Sequence, residues 1–303
     1  MKSHWHTTMA VLGFTALVIS AILLSDPSHQ LGPAVVGLTG QQPQLTTAPD
    51  GSVYLVYGSE NNIYCSVSMD GGDHFAPPVI VANEGPLALG RHRGPRIAAT
   101  QDVVVITAVV GKLGKGQDGT LMAWTSKDRG KTWSKSTTIN DAANSAREGL
   151  HCMAVGPHNL VFAAWLDLRN LVPGNPGTEL YGSVSSDGGI TWSRNMRVYQ
   201  SPDGTICQCC HPSAAVDASG RIMVMWRNAL AGSRDLYWTA STDGGKTFSA
   251  GKKLGMGTWL LSACPMDGGD ITVDRDGVAE TIWRRQDQIF FYQTCQHENS
   301  GRN

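Results

Sequence analysis

The sequence predicts an all-β fold, a β-propeller of four-stranded blades. Three observations carry that prediction. A short box recurs four times, the stretch around each box reads as four short strands, and glycine-rich turns separate those strands. The boxes are "SMDGGDHF" from Ser68, "SKDRGKTW" from Ser126, "SSDGGITW" from Ser185 and "STDGGKTF" from Ser241. All fit S-x-D-x-G-x-x-[FW]. Their aspartates, Asp70, Asp128, Asp187 and Asp243, recur about every 57 residues, which signals a repeat architecture.

Each unit has the same order of elements. In "HPSAAVDASGRIMVMWRN" a strand meets a turn at Asp217–Gly220 and a second strand follows. "RDLYWTAS" supplies the third strand, the box is a tight turn, and "FSAGKKL" supplies the fourth. Within the box, Gly takes the positive-φ position. The Asp carboxylate accepts hydrogen bonds from the turn's amides, and the Ser hydroxyl adds a local bond. The Trp or Phe plugs between sheets. These aspartates are therefore read as structural staples. A fifth unit, "DITVDRDGVAETIWRRQDQIFFYQT" (270–294), has three strands. "PAVVGL" (33–38) is available as its outer, ring-closing strand.

The N-terminus reads as a targeting segment. Lys2, His4 and His6 precede an unbroken apolar run, "MAVLGFTALVISAILL", which "SDPSHQ" ends. The run is shorter than the roughly 20 residues of a spanning helix. Residues 1–26 are thus expected to be a secretory signal or an uncleaved membrane anchor, 27–41 a linker, and 42–303 the propeller. The protein is expected outside the cytoplasm, secreted or periplasmic. A net charge of −1 with mixed signs gives no footprint for nucleic acid. No cofactor is expected, and a monomer is.

Strand order sorts the loops. With the strands of a blade called a to d from the axis outward, the boxes are c–d turns on one face. The b–c loops and d–a linkers lie on the other. The linkers carry "RHRGPRI" (91–97), "REGLHC" (147–152), "CQCCHP" (207–212) and "ACPMDGGD" (263–270). Five of the seven cysteines, Cys152, Cys207, Cys209, Cys210 and Cys264, are therefore expected to converge at the channel mouth with His151, His211 and Met266. Disulfides between neighbouring blades are the preferred reading, with Cys264 and Cys152 as partners for Cys209 and Cys210. The alternatives are small core residues, or a copper(I) or zinc site drawing on Cys207, Cys209, Cys210, His211 and Cys264.

The boxes are those of Asp-box, or BNR, repeats, and from about residue 40 onward the chain resembles the sialidase-like propeller superfamily. That resemblance implies six blades, whereas five units are readable here. It also implies arginines that grip a substrate carboxylate, an acid/base Asp, and a Tyr nucleophile activated by a Glu. "PRIA" around Arg96 and "GRIMVMWRN" with Arg227 are similar to the strands that carry the first two arginines. Arg285, or its neighbour Arg284, is the third candidate. "WLDLR" is similar to the stretch with the acid/base, giving Asp167, with Asp118 as its positional rival. Glu148 is the best carboxylate candidate near the channel, and Tyr292 is the late tyrosine. Each arginine has a plainer reading as a strand-end salt bridge, and for Arg169 with Asp167 that reading is preferred. Two functions follow. One is an exo-glycosidase acting on sialic acid or another acidic glycan. The other is a non-catalytic propeller that binds a glycan, a protein or a metal at a Cys/His-rich mouth.

Overall fold

The computed structural model describes residues 39–113, 118–174 and 177–294. The N-terminal segment, the stretch 33–38 expected to close the ring and Cys295 lie outside these residues. The described chain forms five antiparallel sheets in sequence order, which are the blades. Blade one holds β1 (Gln41–Thr47), β2 (Val53–Ser59), β3 (Asn62–Ser68) and β4 (Val79–Asn83). Blade two holds β5 (Arg96–Ala99), β6 (Val104–Val110), β7 (Thr120–Ser126) and β8 (Thr137–Thr138). Blade three holds β9 (His151–Val155), β10 (Val161–Asp167), β11 (Glu179–Ser185) and β12 (Met196–Tyr199). Blade four holds β13 (Ser213–Val216), β14 (Ile222–Arg227), β15 (Leu236–Ser241) and β16 (Lys252–Lys253). Blade five has three strands, β17 (Asp270–Val273), β18 (Ala279–Arg285) and β19 (Gln288–Gln293). The innermost strands pack in succession, β1 on β5, β5 on β9, β9 on β13 and β13 on β17. Among the described residues no helix is long and apolar enough to cross a membrane.

Burial follows from a blade's neighbours. The second strands of blades two, three and four, "VVITAVV", "VFAAWLD" and "IMVMWR", are buried at every position. A neighbouring blade covers each of their faces, so both sets of side chains are apolar except for Thr107 and the strand-end Asp167 and Arg227. β1 and β19 instead alternate exposed and half-buried positions, as strands with one covered face do. Trp165, Trp226 and Trp283 recur at the same place in β10, β14 and β18, and each is at most 3% exposed. They fill the space between successive sheets, where truncation to alanine costs about 3–5 kcal/mol.

The boxes behave as the sequence predicts. Ser68, Ser126, Ser185 and Ser241 each donate to the aspartate two residues on, at 2.7–2.8 Å. Each serine oxygen also accepts the amide of the following box glycine at 2.8–2.9 Å. The aspartates accept the amide four residues on, from His74, Thr132, Thr191 and Thr247. Trp192 donates its indole N–H to the Gly189 carbonyl at 3.0 Å. Gly189 has a φ of +94°, and a Cβ there would strike Val105, so glycine is required. The boxes meet the a–b turns. Gly188 donates to the Asn159 carbonyl, and Arg129 pairs with Asp50 at 3.5 Å. The face with the boxes is therefore the face away from the linkers.

These bonds hold the box carboxylates below the ordinary range, with Asp128 lowered to about 2, chiefly by Thr132 and Ser126. A depressed carboxylate stabilises fully above the unfolded value near 4 and loses that contribution as pH falls through the folded value. Ser185→Ala tests the box itself. It leaves the buried Gly189 amide without an acceptor, and a loss of about 1–3 kcal/mol in urea-unfolding stability is expected. An unchanged stability would show that the box does not hold the turn.

Candidate functional site

The linkers and first-strand starts meet as predicted at one mouth, a cleft of about 530 Å³. Its wall includes Arg96 from β5, His151 and Cys152 from β9, and His92, His211, Asp267 and Asp270 from the linkers and the start of β17. Gln44 of β1 locks blade one to blade two by accepting the Ile97 amide at 2.8 Å.

Arg96 is half-buried. Its guanidinium donates to the carbonyls of Gly94 (3.3 Å), Pro95 (3.2 Å) and His92 (2.7 Å). Among the described residues it makes no ion pair. Burial pulls it below the ordinary arginine value. The nearby histidines are kept neutral. Burial and the Arg96 charge push His151 down to about 3. Its Nε2 lies 3.1 Å from the Thr107 hydroxyl, and its Nδ1 has no hydrogen-bond partner. Burial, then the His92 and Arg96 charges, push His211 down to about 4. Its Nδ1 accepts the Gly268 amide at 3.2 Å, and its ring stacks on His92 at 4.3 Å. Gly268 has to be glycine because a Cβ would overlap the His211 carbonyl.

Arg227 sits behind this wall with its side chain fully buried. Nε donates to the Asp267 carbonyl at 3.0 Å, and Nη2 to Asp267 Oδ1 at 2.8 Å. Nη1 donates to the Arg234 carbonyl, and the Gly268 and Arg284 carbonyls lie 3.1 Å from Nη2. Its donors thus serve the linker beyond blade four, the β14–β15 loop and β18. Arg284 takes the other Asp267 oxygen at 2.6 Å and lines the cleft. Arg285 turns away, 3.6 Å from Asp235 and stacked over Phe290.

The carboxylate and tyrosine candidates do not line the cleft. Asp167 is fully buried and accepts from Ser145, the Trp165 indole and Arg169. That is the salt bridge preferred from the sequence. Asp118 accepts the amides of Lys112 and Leu113 in its own loop. Glu148 lies 3.6 Å from Arg93. Tyr292 sits mid-strand opposite Thr281, packed against the core of blades four and five. The cleft's own carboxylates are Asp267 and Asp270, which sequence reasoning missed. Their signal was the "DGGD" run, whose glycines let the linker pass close to His211 and Met225.

The sulfur atoms separate into two groups. Cys209 and Cys264 form a disulfide with Cα atoms 6.4 Å apart, joining the linkers on either side of blade four. The Cys207 thiol lies 3.3 Å from that of Cys210 and 3.6 Å from the disulfide sulfur of Cys209. The Cys210 contact, with Arg234 and Arg227 nearby, pulls Cys207 down to about 7. Cys152 does not join this cluster. It stays a free, buried thiol in the cleft wall, pushed up to about 12 by burial. The reason is geometric, because β9 and β13 run side by side and hold Cys152 on the cleft side.

The BNR repeat-like domain family matches residues 91–258, just over half of the chain. The chain belongs to that family. The fold is shared with solved structures of low identity. The α-L-arabinanase of Penicillium chrysogenum, complexed with arabinobiose, has 12% identity and a TM-score of 0.54, covering 86% of this chain and 80% of that one. The α-L-arabinofuranosidase of Fusarium graminearum, with an iminosugar inhibitor, has 17% identity and a TM-score of 0.53, covering 84% and 76%. No curated protein matches the chain. These likenesses show that this BNR repeat-like protein shares its propeller fold with those enzymes.

Two measurements test the electrostatics of the mouth. His151 and His211 are neutral when folded but titrate near 6.5 when unfolded. The unfolded chain then binds more protons, so stability falls as pH drops from about 6.5 toward 4. The urea midpoint is expected to be lower at about pH 5 than at about pH 7.5, and His151→Gln with His211→Gln should flatten that slope. An equal slope in the double variant would remove the histidines as its cause. Asp267→Ala strands the buried Arg227 charge and is expected to cost about 3 kcal/mol, the low end for a broken buried pair, because Asp267 is partly exposed.

Proposed function

We propose that this propeller binds a glycan through its central cleft, with Arg96 gripping an acidic group of the sugar. One observation carries the reading. Arg96 brings a half-buried positive charge to the cleft wall without an anionic partner among the described residues. A cation taken out of water calls for an anion, and a guanidinium meets a carboxylate with two parallel bonds. The exposed side chains of Ile282 and Ile289 in the same wall offer an apolar face for a sugar ring. Arabinobiose in the arabinanase of the same fold supports a saccharide as the ligand class. Export belongs to the same proposal, supported by the Cys209–Cys264 disulfide, which suits an oxidising compartment.

Hydrolysis is the second reading, and Asp270 favours it. This exposed carboxylate lines the cleft outside the ion-pair network, which suits a general acid or base. Tyr292, the sequence candidate for the nucleophile of the sialidase route, is half-buried mid-strand and is not among the residues lining the cleft.

Calorimetric titration with sialyllactose, galacturonic acid oligomers and neutral arabinobiose tests the binding. An acidic sugar is expected to bind, and Arg96→Ala to weaken it by about tenfold or more. Equal binding of the neutral sugar, unchanged in Arg96→Ala, would overturn the assignment. Turnover of a fluorogenic glycoside that Asp270→Asn abolishes would establish the second reading.

A further inference from the structure

Four cysteine sulfurs meet beside the cleft, and a disulfide uses only two of them. The Cys207 sulfur lies 3.3 Å from Cys210 and 3.6 Å from Cys209, and Cys209 lies 4.0 Å from Cys210. Cys264 is bonded to Cys209, and the sulfurs of Cys207, Cys209 and Cys264 all lie within 4.8 Å of one another. The Met266 thioether adds a fifth sulfur, 3.6 Å from Cys264. A tetrahedral ion with metal–sulfur bonds of about 2.3 Å needs sulfurs about 3.8 Å apart. The separations among Cys207, Cys209 and Cys210 bracket that figure, and completing the set requires Cys210, which lies outside the 4.8 Å group, to close on Cys264 once the disulfide opens.

We propose that Cys207, Cys209, Cys210 and Cys264, once reduced, form a tetrathiolate site for a thiophilic d¹⁰ cation, copper(I) or zinc(II).

The scaffold holds both contributing linkers in place before any ion arrives. The Cys207 amide donates to the Arg227 carbonyl at 3.1 Å, and Ile206 bridges to Asn228. On the other side, the Arg227 side chain grips Asp267 and Gly268, just past Cys264 and Met266. Arg234 donates to the carbonyl of Ala263 at 3.2 Å. One buried arginine thus fixes the backbone of one pair of ligands and the loop of the other. The positive charges of Arg227 and Arg234 offset the negative charge of four thiolates around one cation. The donors are all sulfur, which selects soft ions over magnesium or calcium. Cys207 and Cys210 are buried while Cys264 is exposed, so ions reach the site past Cys264.

The disulfide and the metal exclude each other. An external dithiol transfers two electrons and two protons to the Cys209–Cys264 bond and leaves as its own disulfide. The four thiols then lose their protons as they bind the cation. The site is therefore open only in the reduced protein. This inference does not depend on the glycan reading, and its test needs no sugar.

The experiment uses the full chain, reduced with a dithiol under argon and then freed of it. Cobalt(II), zinc(II) and, against a chelator, copper(I) are titrated separately. A single ion per chain is expected, with the visible bands of a tetrahedral cobalt thiolate. Mass spectrometry after thiol alkylation is expected to show Cys207, Cys209, Cys210 and Cys264 protected by metal and Cys152 unaffected. The tighter of zinc and copper(I) identifies the cation. Oxidised protein is expected not to bind. Cys210→Ser should weaken binding by at least the roughly tenfold that even a lost supporting contact costs, and Cys65→Ala, in blade one, should not. The four thiols alkylating equally fast with and without metal would overturn the proposal, a readout that needs no variant. So would Cys207→Ser and Cys210→Ser both binding as tightly as the unaltered chain.

Discussion

Arg227 carries a positive charge into the fully buried interior, and the linker face is organised around satisfying it. A buried guanidinium without partners would be prohibitive. Here the partners are Asp267 and backbone carbonyls from the linker beyond blade four and from β18. Its own carbonyl receives the amide of Cys207, at the start of the sulfur cluster. The linkers on both sides of blade four are therefore tied to the last residue of β14. The wall with Asp267, Gly268 and His211 follows from that arrangement, as does the convergence of the cysteines.

The fold was largely legible because its signals are local and repeated. Each box specifies its turn through residues within a few positions, Ser185 with Asp187 and Gly189 for instance, so four copies pin four blades. The linker face followed from strand order alone, and so did the grouping of Arg96, His151 and His211. Roles at the site were harder to read, because they depend on where a side chain's charge is spent. Arg96 and Arg227 look alike in sequence, each at an end of a strand beside the axis. Only three-dimensional neighbours show that Arg227 is engaged by Asp267 while Arg96 meets carbonyl oxygens alone. Asp267 escaped notice for the same reason. Its importance comes from two arginines, Arg227 and Arg284, and Arg227 is 40 positions away along the chain.

The neutral histidines sharpen the contrast between the two arginines. Protonated imidazoles beside Arg96 would add like charges in a poorly solvated place. Burial and the Arg96 field hold His151 and His211 uncharged, so the arginine is the principal cation of that wall. Asp267 pairs with Arg227 and Arg284 and makes no ion pair with Arg96. The cleft therefore keeps a localised positive potential on one side and the exposed Asp270 carboxylate near it. That separation suits a ligand whose acidic group is confined to one end.

The cleft and the sulfur cluster share one wall, and this links their behaviour. His211 follows Cys210 directly in the chain and receives the Gly268 amide, while Gly268 and Asp267 follow Cys264 within a few residues. A change at the sulfurs, whether bond, thiols or bound cation, acts on both strands of the wall at once. Rigid anchoring by Arg227 limits how far such a change travels into the blades. Outside that clamp lies the short arc from Cys264 to Met266, where Met266 holds a left-handed φ of 58°. The mouth of the propeller is thus built from a fixed half, clamped by a buried charge, and an adjustable half set by the state of its sulfurs.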